Sequence, residues 1–351
     1  MNRITKLFLL FVGSLSLSSC MDYGPIEEEP FGYSSYDKGL FIVNEGNFMY
    51  GNGSLSYYDI TTRKIENDVF SRSNGISLGD VAQSMTIYNG KGYVVVNNSG
   101  IVFVIDPNTF LVKSTITGLI SPRHIHFVDN KKAYISDLYN SCLYILDVGT
   151  NKVTGQIQTK GHQSTEQFAQ LGDTIFVNCW SYDNTILAIN IKTDEIVDSI
   201  KVWSQPRYML IDKYDKLWIM SEGSILETGA QLMPKITKID ARSLNVETVF
   251  DLHNGHSPIN MALNGNRDTL YYINKDIYKT SVNEDNMPSE PFIGNNGTIF
   301  YQLAVDAESS DLYVADAIDY VQSGVVFRFS ADATPIDTFK VGIIPGAFCF
   351  K

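Results

Sequence analysis

The chain is poor in the residues that build reactive or metal-binding centres. It has 4 cysteines and 5 histidines in 351 residues. No C-x-x-C pair occurs, so neither a zinc ribbon nor a thioredoxin-type redox site is indicated. Cys142, Cys179 and Cys349 stand far apart and are odd in number, which argues against a disulfide framework. The G-x-S-x-G elbow, the P-loop, the EF-hand loop and the dinucleotide fingerprint are all missing. Positive charge is scarce as well. The 27 Lys and Arg against 39 Asp and Glu leave a net charge of −12, which repels nucleic-acid phosphates. After the first twenty residues no apolar run is long enough to span a bilayer, and helical periodicity is nearly absent.

What is present begins with a leader. "MNRITK" is a basic start and "LFLLFVGSLSLS" an apolar stretch too short for a comfortable membrane span. It ends in "LSSC", which resembles the lipobox of bacterial lipoproteins. That resemblance implies cleavage before Cys20 and acylation on it, with residues 1–19 as signal peptide. Lipid chains would then anchor the protein to a membrane without a spanning helix. The following stretch, 20–37, carries "MDYGPIEEEP" and is expected to be a disordered acidic tether. Acidic residues so soon after the acylated Cys resemble the surface-export signal of Bacteroidetes lipoproteins. The resemblance implies a lipid-anchored protein on the outer membrane of a Gram-negative cell, facing the exterior.

The remainder, 38–351, repeats itself. An aromatic residue in an apolar run recurs at Phe41, Tyr93, Tyr134, Phe176, Trp218, Tyr271 and Tyr313, with spacings of 52, 41, 42, 42, 53 and 42. A second marker, a short polar residue, follows each at Asp59, Asp106, Asp147, Asn190, Asp240, Ser281 and Ser330. A side chain of that kind bonds the backbone just after it and starts a turn. Each unit reads as four short alternating strands between Gly, Asn, Asp and Ser turns. Four strands at a repeat near 42 indicate an all-β fold, a seven-bladed β-propeller of four-stranded antiparallel blades. The first marker has no inner strand before it, whereas "IIPGAFCFK" at the end is an inner strand without a blade. The C-terminal strand is therefore expected to join the N-terminal blade and close the ring, which removes exposed sheet edges.

"YVVVNNSGIVFVIDPNTFLVKSTI" resembles the YVTN-type propeller repeat. The opening "NEGN…GSLSYYD" is similar to YncE-like, surface-layer-protein-like propeller lipoproteins of Bacteroidetes, which include the corrinoid-binding BtuG group. The resemblance covers nearly the whole mature chain. It implies capture of a corrinoid such as vitamin B12 and hand-over to a TonB-dependent outer-membrane transporter.

Independently, the residues indicate where a site would lie. The distance between the two markers is 18 in the first unit, then 13, 13, 14, 22, 10 and 17, so the second-to-third strand loop varies on a constant frame. In propellers these loops share a face with the connections between blades, and loops on rigid frames carry function. On that face the loops offer Phe48, Tyr50, Tyr139, Asn140, Trp180, Tyr182, Tyr320 and Gln322. The inter-blade connections add Gln83, Arg123, His124, Gln167, Trp203, Arg207, Tyr208, His256, Asn260, Tyr301 and Gln302. Aromatic rings give rigid contact area, and amides and guanidinium groups give directional bonds. Such a ring suits a broad, partly apolar ligand edged with amides or hydroxyls. A corrinoid is one and an oligosaccharide another, so a glycan- or protein-binding module is the alternative reading. A propeller lactonase or lyase is a third, with no catalytic residue to point to. His124 and His126 share one strand face, and His253 and His256 flank a loop, but neither pair has a third ligand. No metal or cofactor is expected.

Overall fold

The computed structural model describes residues 38–225, 229, 231–252 and 258–351. The expected leader, tether and acylated Cys20 lie outside these residues. The described chain is all-β, with seven antiparallel sheets arranged as the blades of a propeller. Blades two to five run in chain order from the inner strands Ala82–Tyr88, Pro122–Phe127, Thr165–Leu171 and Pro206–Ile211 outwards. Blade seven begins at Phe300–Val305 and ends on Pro335–Ile343. Blade six has Asn260–Leu263, Thr269–Asn274 and Asp276–Ser281, and its fourth position is reduced to a bridge between Ile277 and Ile293.

The ring closes on blade one. Its inner strand is Pro345–Phe350, paired antiparallel to Gly39–Asn44 with Phe41 opposite Cys349 and Leu40 opposite Phe350. Glu45 N–H donates to Ile344 O at 2.8 Å, and Lys351 N–H to Gly39 O at 2.8 Å, so the pairing is held at both ends. The tail thereby covers an edge that would otherwise present unpaired backbone groups.

The two repeat markers have distinct jobs. The aromatic residues Phe41, Tyr93, Tyr134, Phe176, Trp218, Tyr271 and Tyr313 are all buried in the wedges within and between sheets. Burying a side chain of this size stabilises the fold by about 2–3 kcal/mol. The polar markers shape the outer turns. Asp59 Oδ1 accepts from the N–H groups of Thr61 and Thr62 at 2.8 Å, and Asp240 Oδ1 from those of Arg242 and Ser243. Ser281 and Ser330 accept in the same way from Asn283 and Thr334.

The two long repeats have local causes. The spacing of 52 includes the short helix Val69–Asn74 after a three-residue outer strand, Lys64–Glu66. The spacing of 53 includes an extra small hairpin, Ser224–Ile225 with Gln231–Leu232, in the second-to-third strand loop of blade five. Among the described residues no helix is long and apolar enough to cross a membrane.

Candidate functional site: the upper face and its charged floor

Each inner strand starts at one face and ends at the other, so the inter-blade connections and the second-to-third strand loops meet at the same end. We call it the upper face. The backbone records the meeting directly. Gly53 N–H donates to Gly79 O at 3.0 Å, Gln205 N–H to Asp183 O at 2.8 Å, and Glu222 N–H to Gln205 O at 3.0 Å.

At the start of the inner strands the pairing with the second strand slips. Ala82 pairs with Val96 but Ser84 with Val95, which leaves Gln83 extra. Arg207 and Tyr301 are extra in the same way, and so is Gly346 in blade one. In blades three and four two residues, Arg123–His124 and Glu166–Gln167, oppose the single residues Ser136 and Asn178. These are β-bulges, which leave a residue unpaired and re-aim its side chain. Here they turn one position of each bulged strand into the mouth of the channel. The backbone groups that lose ladder partners are met by side chains. Asn178 Oδ1 accepts from Gln167 N–H at 2.8 Å, and Ser136 Oγ from His124 N–H at 3.0 Å.

The resulting ring is a network of charge. Arg123 Nε donates to Glu166 at 2.9 and 3.0 Å, and its Nη1 donates to Gln83 Oε1 at 2.5 Å. Arg207 Nη1 donates to Glu222 Oε1 at 2.6 Å, and Trp180 Nε1 donates to Glu222 Oε2 at 3.0 Å. The Arg207 guanidinium also lies 4.9 Å from the Trp180 ring centroid and 5.5 Å from that of Tyr208. Tyr301 O–H donates to Glu45 Oε1 at 3.1 Å, Asn260 donates to Gln302, and Gln302 Nε2 donates to Gly346 O at 2.6 Å. Burial raises the carboxyl pKa values of Glu45 and Glu166, and the Arg123 guanidinium opposes the rise in both. His124 keeps 24% of its side-chain surface and lines the spaces at the channel mouth. Burial, with Arg123 beside it, pushes its pKa down to about 3, so it is neutral at pH 7.

The ring nearly fills the mouth. A space of about 40 Å³ remains among Gln83, Arg123, Glu166, Arg207, Tyr208 and Gln302, room for a few waters at most and far below the size of a drug-sized ligand site. A further space of about 220 Å³ lies along the same strands beside His124, His126 and Phe168. The channel mouth is therefore a floor, not a passage for a large ligand.

Above the floor stand the predicted aromatic residues. Phe48, Tyr50, Tyr139, Tyr182 and Tyr320 expose 62%, 79%, 67%, 99% and 40% of their surface, so their rings are open to contact. Tyr320 sits edge-on to Tyr301 at 5.7 Å between ring centroids, which links the rim to the floor. Trp203 is less free. Its Nε1 donates to Met233 O at 2.8 Å, and Lys235 Nζ lies 4.3 Å from its ring centroid. Gln167 Oε1 accepts from Met209 N–H at 3.0 Å and holds the next blade. Asn140 Nδ2 donates to Tyr144 O–H, and Gln322 Nε2 to Asp319. His256 and His253 lie outside the described residues. A cleft of about 610 Å³ opens between the blade-four loop and the blade-five hairpin, lined by Tyr182, Gln205, Glu222, Ile225, Leu232 and neighbours. Glu222 lines the cleft and also accepts from Arg207 of the floor, so one side chain links the two.

Sequence reasoning missed the three carboxylates, Glu45, Glu166 and Glu222. A signal was present for two of them: "NEG" at 44–46 and "SEG" at 221–223 place Glu-Gly just after the second strand in blades one and five. Glu166 falls on the inner-strand position that Arg123 and Arg207 occupy in their own blades.

Fold and face together define a seven-bladed propeller whose upper face carries an aromatic rim over a charged floor. The chain belongs to the family described as "Domain of unknown function (DUF5074)", whose model matches residues 38–341. Solved structures share the architecture. A quinonprotein alcohol dehydrogenase-like protein from Bacteroides thetaiotaomicron superposes with a TM-score of 0.69 at 14% identity, over 90% of this chain and 78% of that one. The Kuenenia stuttgartiensis hydrazine synthase superposes with a TM-score of 0.61 at 14% identity, over 76% of this chain and 89% of that one. At that identity the likeness shows the fold alone. No curated protein matches the sequence.

Proposed function

We propose that this protein is a ligand-binding propeller which captures a broad, flat, amide-edged molecule on its upper face. The observation that carries this reading is the gathering of solvent-open aromatic rings around a closed charged floor, beside a cleft of about 610 Å³. The cleft falls in the size range of small-molecule sites, and its walls are mostly polar, with Tyr182, Ile225 and Leu232 as the apolar contacts. A ligand lying on the rim would stack on Tyr139, Tyr182 and Tyr50 and bond its amides to the ring of Gln83, Gln302, Arg207 and Glu222. The frame is preformed, so little ordering cost opposes binding and slow release is favoured.

Within this class the ligand we propose is a corrinoid such as vitamin B12, bound without chemistry at its metal. The resemblance to corrinoid-binding propeller lipoproteins supports it, as does the combination of flat aromatic contacts with amide-bonding groups. The same reading makes the protein an outer-membrane lipoprotein acylated at Cys20, facing the exterior and passing its ligand to a TonB-dependent transporter. The test is a melting series of the intact mature protein with cyanocobalamin, cobinamide and neutral polysaccharides. The expected result is a higher Tm and quenched Trp fluorescence with both corrinoids at micromolar concentration. A shift with polysaccharide alone would assign the face to glycans and overturn the corrinoid reading.

A further inference from the structure

Three side chains on the upper edge of blade four have no part in the floor or the rim. His162 comes from the connection into the blade, Cys179 ends the second strand Thr174–Cys179, and Asp183 lies in the following loop. One ligand atom of each lies within 4.8 Å of the others. His162 Nδ1 and Asp183 Oδ2 are 2.7 Å apart. We propose that His162, Cys179 and Asp183 bind a divalent ion of borderline softness, zinc foremost, and that the ion pins the loop which carries Trp180 and Tyr182.

The donor set selects the ion. Thiolate, imidazole and carboxylate are the ligands of zinc and its neighbours, whereas calcium and magnesium take oxygen alone. Three protein ligands leave a fourth position for water or for a group of a bound ligand. Zinc bonds of about 2.0–2.3 Å in tetrahedral geometry place ligand atoms roughly 3.3–3.8 Å apart. The Cys179 thiol therefore has to close by at most about 1 Å, and the His162–Asp183 contact has to open by roughly 0.6 Å. The backbone around them is fixed. His162 N–H donates to Thr159 O at 3.1 Å, Asp183 N–H to Trp180 O at 3.2 Å, and Asp183 O accepts from Gln205 N–H. Side-chain exposures of 25% for His162 and 16% for Asp183 give the ion a way in, although the thiol itself is fully buried.

The proton balance is simple. The Cys179 thiol releases its proton to solvent, and the hydrogen shared between His162 and Asp183 moves to the other ring nitrogen. Two negative ligands then offset the charge of the ion. Burial raises the thiol pKa, the Asp183 carboxylate raises it further, and Lys201 opposes the rise. Lys201 Nζ is tied to Thr185 Oγ1 at 2.7 Å and Asn184 Oδ1 at 3.0 Å, so its charge is held nearby. That charge favours the thiolate, whereas the burial of the thiol and the Asp183 carboxylate limit the affinity.

Cobalt is the spectroscopic probe, added to the intact mature protein after treatment with chelator. A stoichiometric amount of Co²⁺ is expected to produce a thiolate-to-cobalt absorption band in the near ultraviolet. Zn²⁺ should displace the band and Ca²⁺ should not. Cys179→Ser should abolish it, while Cys142→Ser, at another buried thiol, should keep it. Asp183→Asn and His162→Ala sit where the side chains are partly open, and each should weaken Co²⁺ binding at least tenfold. No thiolate band in the wild type would overturn the proposal, as would a band that survives Cys179→Ser. Should Cys179→Ser fail to fold, unchanged Co²⁺ affinity in Asp183→Asn decides against the site.

Discussion

Arg123 donates through its Nε to both carboxylate oxygens of Glu166, at 2.9 and 3.0 Å, across a blade boundary and 43 residues of sequence. Both side chains are almost fully removed from solvent. Bulges in two neighbouring inner strands aim them at each other, so the pair reports on the whole construction of the floor.

Removing one partner of a buried pair leaves an uncompensated charge and costs about 3–5 kcal/mol. Arg123→Ala is expected to lower the unfolding free energy by that amount, read as a lower urea midpoint, and Gln83 loses its donor as well. Replacing both partners by apolar residues, Arg123→Met with Glu166→Leu, should restore most of the loss. Equilibrium urea unfolding checks both. A double variant no more stable than Arg123→Ala would argue against the pair as the source of the effect.

Gly346 is a glycine because Glu45 lies over it. A Cβ built there would fall 2.1 Å from Glu45 Oε1 and 2.6 Å from Glu45 Cγ. Gly346→Ala must displace the Glu45 side chain and with it the bond from Tyr301. The expected cost is about 1–3 kcal/mol by overpacking, read as a lower Tm. The companion Glu45→Ala removes the obstacle, so Gly346→Ala should cost much less in that background. An equal cost in both backgrounds would contradict the contact.

His124 titrates at about 3 in the fold against an ordinary value of 6.5. The folded protein therefore binds fewer protons than the unfolded chain between these two pH values, and stability rises with pH across the interval. The contribution is fully present above pH 6.5 and is lost as pH falls towards 3. Its size is a few kcal/mol at most. Urea midpoints measured from pH 7 down to pH 4 should fall less steeply in His124→Gln than in the wild type. Parallel curves would show that His124 is not held neutral by burial.

The sequence made the fold legible because two markers repeat for separate physical reasons. Tyr134 and its equivalents must fill a wedge, and Asp147 and its equivalents must start a turn. Both demands recur in every blade, and the unpaired "IIPGAFCFK" needed a partner. The rim was legible for a similar reason: Phe48, Tyr139 and Tyr182 interrupt polar loops where nothing in the core requires them. The floor was only half legible. Arg123 and Arg207 stood out after proline, but a bulge is invisible in an alternating pattern. Without the bulge, one cannot tell that Glu166 turns inward to meet Arg123. The His162, Cys179 and Asp183 group was not legible at all, since a connection, a strand end and a loop supply one residue each.

Tyr50, Tyr139 and Tyr182 are exposed, and substituting exposed residues usually changes stability by less than about 0.5 kcal/mol. Their loss should instead appear in binding, since truncating a central aromatic contact costs more than about 1 kcal/mol. The direct measurement is calorimetric titration of cyanocobalamin into the intact mature protein, the triple variant Tyr50→Ala, Tyr139→Ala, Tyr182→Ala, and a control Tyr214→Ala on the opposite face. Saturable binding is expected for the wild type and the control, and at least a hundredfold weaker binding for a triple variant that melts normally. Equal affinity in all three proteins, or no heat of binding in any, would contradict that expectation.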